Sequence, residues 1–177
     1  MKKEYDTLRY FWHITSAHTI AYFVAGIFGL AVMNYKELFA TDILSSLMLP
    51  VDSPIVALGP ALQLFRGILI ALVLLPLRKT FFEEKYGLLQ LGLLILGLSL
   101  FSTIGPTSGS FDGFIYTKIP VPVQILGYPE AIFYVALFVV ILHITQKYAH
   151  KKIILPLSIV CVALICTLCI FAFITRL

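Results

Sequence analysis

Apolar runs of membrane-spanning length constrain this chain more than any other feature. The hydrocarbon core of a bilayer is about 30 Å thick and takes about 20 helical residues to cross. Five runs approach that length, with expected boundaries Tyr10–Met33, Pro54–Leu77, Leu88–Ile104, Pro129–Thr145 and Ile153–Ile174. At 60% hydrophobic and 12% charged residues, the chain is far more apolar than a water-soluble domain, where about 45–50% and about 25% are usual. Five spans leave only short connections in 177 residues. Residues 1–177 are therefore expected to form one all-α integral membrane domain, a bundle of five transmembrane helices with a long packed loop between the third and fourth.

The basic residues carry the topology. Nine of the 13, namely Lys2, Lys3, Arg9, Arg78, Lys79, Lys85, Lys147, Lys151 and Lys152, fall on one side of such a bundle; only Lys36, Lys118 and Arg176 fall on the other. Positive charge gathers on the cytoplasmic side of membranes, which predicts a multi-pass plasma-membrane protein with its N-terminus in the cytoplasm and its C-terminus outside. The net charge of +4 is thus topological, and no basic patch interleaved with aromatics points to nucleic acid. Met1 to Arg9 is basic ahead of an apolar run, as in a signal peptide, but the run continues to Met33 without a convincing cleavage site and reads as the first span. Cys161, Cys166 and Cys169 share one run, so a disulfide framework between loops is not expected.

Within the first span, Ala17, Ala21, Ala25 and Gly29 recur at i+4, a small-residue stripe that lets a second helix approach closely. His18 and Tyr22 lie beside it and are expected to face the bundle interior, while Tyr10, Phe11 and Trp12 read as an aromatic anchor at the inner interface. Asn34 to Ser53 alternates apolar and polar residues at helical period and predicts a short helix on the outer surface. Ser53 and Pro54 then form a helix start, with serine as N-cap and proline in the first turn. The intervals Pro60 to Arg78 and Pro129 to Lys147 are equal, a spacing compatible with a parallel repeat.

Ser102 to Glu130 is the only long stretch that is neither span nor short connector. Its many Gly and Pro residues and its apolar side chains, among them Phe111, Phe114, Ile115, Tyr116, Val121 and Val123, predict a packed lid or a re-entrant segment rather than a solvated loop. Asp112, with glycines at positions 109 and 113, suits either a turn or a site, and Glu130 either a helix start or a partner for a buried cation.

That cation is Arg66. It stands 12 residues from Pro54 and 12 from Arg78, in mid-span, where insertion of a guanidinium costs about 3 kcal/mol and calls for a partner or a wet cavity. Its planar fork of donors suits carboxylate or phosphate, though a structural ion pair is the competing reading. Gln63 lies one turn away, on a face shared with Gly59 and Gly67; Thr103 is spaced with Gly92 and Ser99 on one face of the third span. The candidate ligand-binding set is Arg66, Gln63, His18, Tyr22, Thr103, Asp112 and Glu130.

His13, His18 and His143 could serve proton transfer or bis-histidine haem ligation, but their spacing is unspecific and favours hydrogen-bonded structural roles. Cys166 and Cys169 form a CxxC only in name, since no basic residue is present to stabilise a thiolate. Glu83 and Glu84 occupy a connector without a matching histidine pattern, so no metal site is expected, and no cofactor. Three functions remain compatible: binding or transport of a small anionic molecule at Arg66 below the Ser102–Glu130 lid; an accessory, sensory or structural subunit whose small-residue stripe and apolar outer segment meet a partner or another copy; and an outer-leaflet enzyme using Asp112 or Glu130 with His18. Membrane lipids are the expected surroundings in each.

Overall fold

The computed structural model describes residues 7–100 and 107–177. Among these the fold is entirely helical: α1 (Thr7–Val32), α2 (Tyr35–Phe39), α3 (Asp42–Ser45), α4 (Pro54–Leu74), α5 (Arg78–Phe82), α6 (Gly87–Leu100), α7 (Phe111–Tyr116), α8 (Val121–Ile125), α9 (Tyr128–Lys147) and α10 (Ile154–Thr175). A single 3-10 turn, Leu75–Leu77, joins α4 to α5. Four stretches are long and apolar enough to cross a membrane: Thr7–Val32, Pro54–Phe82, Val121–Lys147 and Ile154–Thr175. The expected third span appears as the 14 residues of α6, and the rest of it lies outside the described residues.

The outside of the bundle is greasy. Leu62, Phe65, Leu69, Leu72 and Val73 on α4 and Leu157, Val160, Leu164, Leu168 and Phe171 on α10 are all exposed. Contiguous apolar surface on this scale is incompatible with water and natural in lipid.

Helix α1 is the hub. It packs along α4 and α9 and also touches α10; α10 lies on α4, and α6 lies on α9 and meets α5. The reason is residue size. Ala17, Ala21, Ala25 and Gly29 are all buried, so the stripe is consumed inside the chain. On another face of α1, Gly67 brings α4 so close that a β-carbon there would sit 2.8 Å from the Thr15 Cα. Where no hydrophobic force separates lipid from helix, such close backbone approach supplies the packing energy.

A tight core forms at the end of the bundle where α1 begins, around Tyr10, Ile14, Leu74, Phe81, Leu91, Phe138 and Leu142. Tyr10 belongs to this core rather than to an interfacial belt: it is buried, donates to the Ala71 carbonyl at 3.2 Å, and lies under the Arg78 guanidinium. Trp12 is likewise tied inward, donating to Ser158 Oγ at 2.8 Å.

Two connections differ from expectation. Asn34 to Ser53 forms two short helices, α2 and α3, and Ser53 occupies the N-cap of α4 without its side chain capping anything. The described part of Ser102–Glu130 contains α7 and α8, and it is held by polar bonds rather than by its aromatics. Phe111, Phe114, Ile115, Tyr116 and Val121 are exposed, while Gln124 is buried, its amide donating to the Ile119 carbonyl at 2.9 Å and accepting from the Gly109 N–H at 3.4 Å. Tyr128 donates to the Gly109 carbonyl at 2.9 Å, and Gly109 has φ 81°, a left-handed conformation that favours glycine. Asp112 makes no turn of its own: Ser110 caps α7, accepting from the Gly113 N–H at 2.9 Å.

Candidate functional site

His18 is the centre of the polar interior and is fully buried. Helix α1 places it beside the small-residue stripe, so the close approach of α4 and α9 walls it in. Its Nδ1 lies 2.6 Å from Tyr134 Oη on α9, and its Nε2 lies 3.1 Å from Gln63 Oε1 on α4. Gln63 Nε2 points to the Gly59 carbonyl at 3.5 Å. A carbonyl can only accept, so this contact orients the amide with Oε1 toward His18. The imidazole then carries its proton on Nε2, and Nδ1 accepts from the tyrosine hydroxyl. A relay runs from Tyr134 through His18 and Gln63 to the α4 backbone, tying three helices together. Both ring nitrogens are engaged by side chains.

Arg66 lies on α4 one turn past Gln63. Its side chain is exposed, and no hydrogen bond or ion pair reaches it from the described residues. Its charge acts on His18, Tyr22 and Tyr134, which places it at the flank of the relay. None of the chain's 9 acidic residues stands in the middle of an apolar run, so the sequence supplies no counter-charge at that level.

Glu130 has a different partner. It sits in the first turn of α9 and accepts a hydrogen bond from Tyr35 of α2. Asn34 makes this possible by taking the left-handed conformation, φ 49°, which turns the chain sharply after α1. Tyr35 then lies over Gly29, where a β-carbon would be 2.7 Å from its ring. Burial, and next the bond to Glu130, hold the Tyr35 phenol well above its ordinary pKa.

Tyr22 and Glu130 also line a cavity of about 960 Å³ beneath α2 and α3, bounded by α1, α4, α8 and α10. Arg66, Gln63, His18 and Asp112 are not among its lining residues. The structure thus joins His18 to Gln63, sets Arg66 at their flank, gives Tyr22 and Glu130 a separate cavity, and leaves Asp112 on the half-buried first turn of α7. Thr103 lies outside the described residues. His143 lines a second cavity, of about 420 Å³, with Phe82, Glu84 and Gln146.

Sequence reasoning missed Tyr134, Tyr35 and Gln124. Tyr134 had a usable signal, since it follows Glu130 by one helical turn on the same face of α9. Tyr35 and Gln124 had none, because their roles depend on a sharp turn and on a loop closing over its own carbonyls. Comparison with protein-family models, with curated proteins and with solved structures finds no match to this chain.

Proposed function

We propose that this chain binds or transports a small anionic molecule, with Arg66 supplying the charge that holds it. In this reading α6 completes a fifth span, the N-terminus lies in the cytoplasm of a plasma-membrane protein, and the α2–α3 end faces outward. The carrying observation is that Arg66 stands exposed in the middle of α4, without a partner among the described residues, in a chain with no acid at that depth. A guanidinium in that position costs about 3 kcal/mol unless an anion or water meets it, and its fork pairs two-to-two with carboxylate or phosphate oxygens. The neighbouring His18 relay keeps the floor beside it rigid and polar.

Thermal unfolding in mild detergent, with a panel of small carboxylates and phosphates, tests this. A ligand at 100 times its dissociation constant stabilises by about 2.7 kcal/mol. That stabilisation should disappear in Arg66→Ala and be partly kept in Arg66→Lys, which retains the charge without the fork. Equal stabilisation of wild type and Arg66→Ala would sink the reading.

The lateral exposure of Arg66 favours a second reading, an accessory subunit whose partner contributes the missing carboxylate. The small-residue stripe gives this no support, being buried within the chain. Crosslinking from a photoreactive residue at Phe65 separates the two: adducts to a protein favour a subunit, and adducts to lipid alone favour ligand binding.

A further inference from the structure

The cavity beneath α2 and α3 is a second candidate site, chemically unlike Arg66. Its volume of about 960 Å³ falls within the range of small-molecule pockets, about 300–1,000 Å³. Its walls are largely hydrocarbon, with Phe23, Ile27 and Leu30 from α1 facing Leu168 and Phe171 from α10. Tyr22, Ser108, Gln124 and Arg176 bring polar side chains to the lining, and two acceptors there also bear on what could bind. Tyr35 occupies Glu130 Oε2, which leaves Oε1 without a partner among the described residues. The Val56 carbonyl has no helical donor at i+4, because residue 60 is proline and carries no N–H. Arg176 is at the rim, where its guanidinium donates to the Val51 carbonyl at 3.1 Å.

We propose that this cavity binds an uncharged amphiphile, with a hydrocarbon body against the apolar walls and a hydroxyl donating to Glu130. At Glu130 an anionic head would meet a carboxylate, and Arg176, the one cation among the described lining residues, already donates to the Val51 carbonyl. A wholly apolar ligand would leave the acceptors Glu130 Oε1 and Val56 O desolvated and unpaired, which is costly in a low-dielectric setting. A hydroxyl donating to Glu130 satisfies one of them directly. The site is independent of Arg66, which does not line it.

The probes are 1-monooleoylglycerol and oleate, which share a hydrocarbon chain and differ in head group, and the readout is thermal unfolding of the full chain in a bulky steroid-based detergent. Gly26 lies on the cavity wall, where a β-carbon meets no atom within 4 Å, so Gly26→Leu fills the cavity without disturbing the backbone. Monooleoylglycerol should raise the unfolding temperature of wild type more than oleate does, and should not raise that of Gly26→Leu. Glu130→Gln should need about tenfold more monooleoylglycerol for the same rise, as expected for weakening one charge-assisted hydrogen bond. Gly59→Leu, on the α4 wall and equally free of contacts, repeats the block should Gly26→Leu fail to fold. The proposal is overturned if wild type does not respond to monooleoylglycerol, if the filled variants respond as wild type does, or if oleate is preferred. Arg66→Ala must keep the monooleoylglycerol response, so failure here and failure of anion binding are read separately.

Discussion

The two halves of α1 are built on opposite plans. From Ile14 to Thr19 every residue is buried, with α4, α9 and α10 drawn in around Thr15, Ala17 and the His18 relay. From Phe23 onward the helix loosens: Val24, Ile27, Leu30 and Val32 are exposed, and its neighbours leave a cavity of about 960 Å³. Both halves carry small residues, so small size alone does not close a helix pair. What differs is the facing element. Gly67 and Ala71 of α4 meet the first half, whereas the second half is met by the proline-bearing start of α4 and by short α2, whose Tyr35 takes up the space over Gly29. Close packing needs small residues on both sides, and a polar bond across the join then fixes the register.

The same substitution in the two halves breaks this comparison most sharply. In the first half, Gly67→Leu drives a β-carbon to within 2.8 Å of the Thr15 Cα, a backbone atom that cannot step aside. A loss of about 3 kcal/mol or more is expected in detergent unfolding, at the upper end for overpacking; wild-type stability would refute the tight α1–α4 contact. Next in size, His18→Ala leaves Tyr134 and Gln63 unpaired and should cost about 2–3 kcal/mol. Tyr134→Phe, which removes one bond of the relay, should cost about 0.6–1.7 kcal/mol, in line with hydrogen bonds inside membranes. No loss in Tyr134→Phe beside a full loss in His18→Ala would mean that His18 acts by bulk rather than through its bonds. The smallest effect belongs to the loose half: Gly26→Leu should be neutral or stabilising by up to about 1 kcal/mol, since leucine is the better helix former and the space is open. A large loss there would show that the cavity is closed.

Charge follows the same division. Glu130 and Arg66 are opposite in sign and both lie within apolar helices, yet they do not pair. Glu130 is held by Tyr35 at one end of α9, and Arg66 is turned outward from the middle of α4.

Much of this was legible beforehand. The apolar runs located α1, α4, α9 and α10 to within a few residues, because lipid allows a spanning chain little but helix. The i+4 stripe correctly marked the buried face of α1 and turned His18 inward. For the Ser102–Glu130 segment the apolar residues suggested a packed lid or a re-entrant segment; in its described part Gln124, Ser110 and Tyr128 make the bonds, and Phe111, Phe114 and Tyr116 are exposed. Composition reports how much apolar surface a loop has and is silent on which side of it faces lipid. Glu130 was open to two readings, a helix start or a partner for Arg66, and it lies in the first turn of α9 with Tyr35 as its partner; a helix presents several faces, and sequence spacing does not say which of them a neighbour covers.

By itself, then, the sequence determined the solvent and the helices, since both follow from local hydropathy and from the need to satisfy every backbone group in lipid. Only the tertiary structure decided the partners. That His18 bonds Tyr134 and Gln63, that Tyr35 rather than Arg66 meets Glu130, and that one half of α1 is sealed while the other borders a cavity all depend on contacts between residues distant in the chain. Those contacts are set by how closely particular backbones approach, a property of pairs of helices that no single stretch encodes.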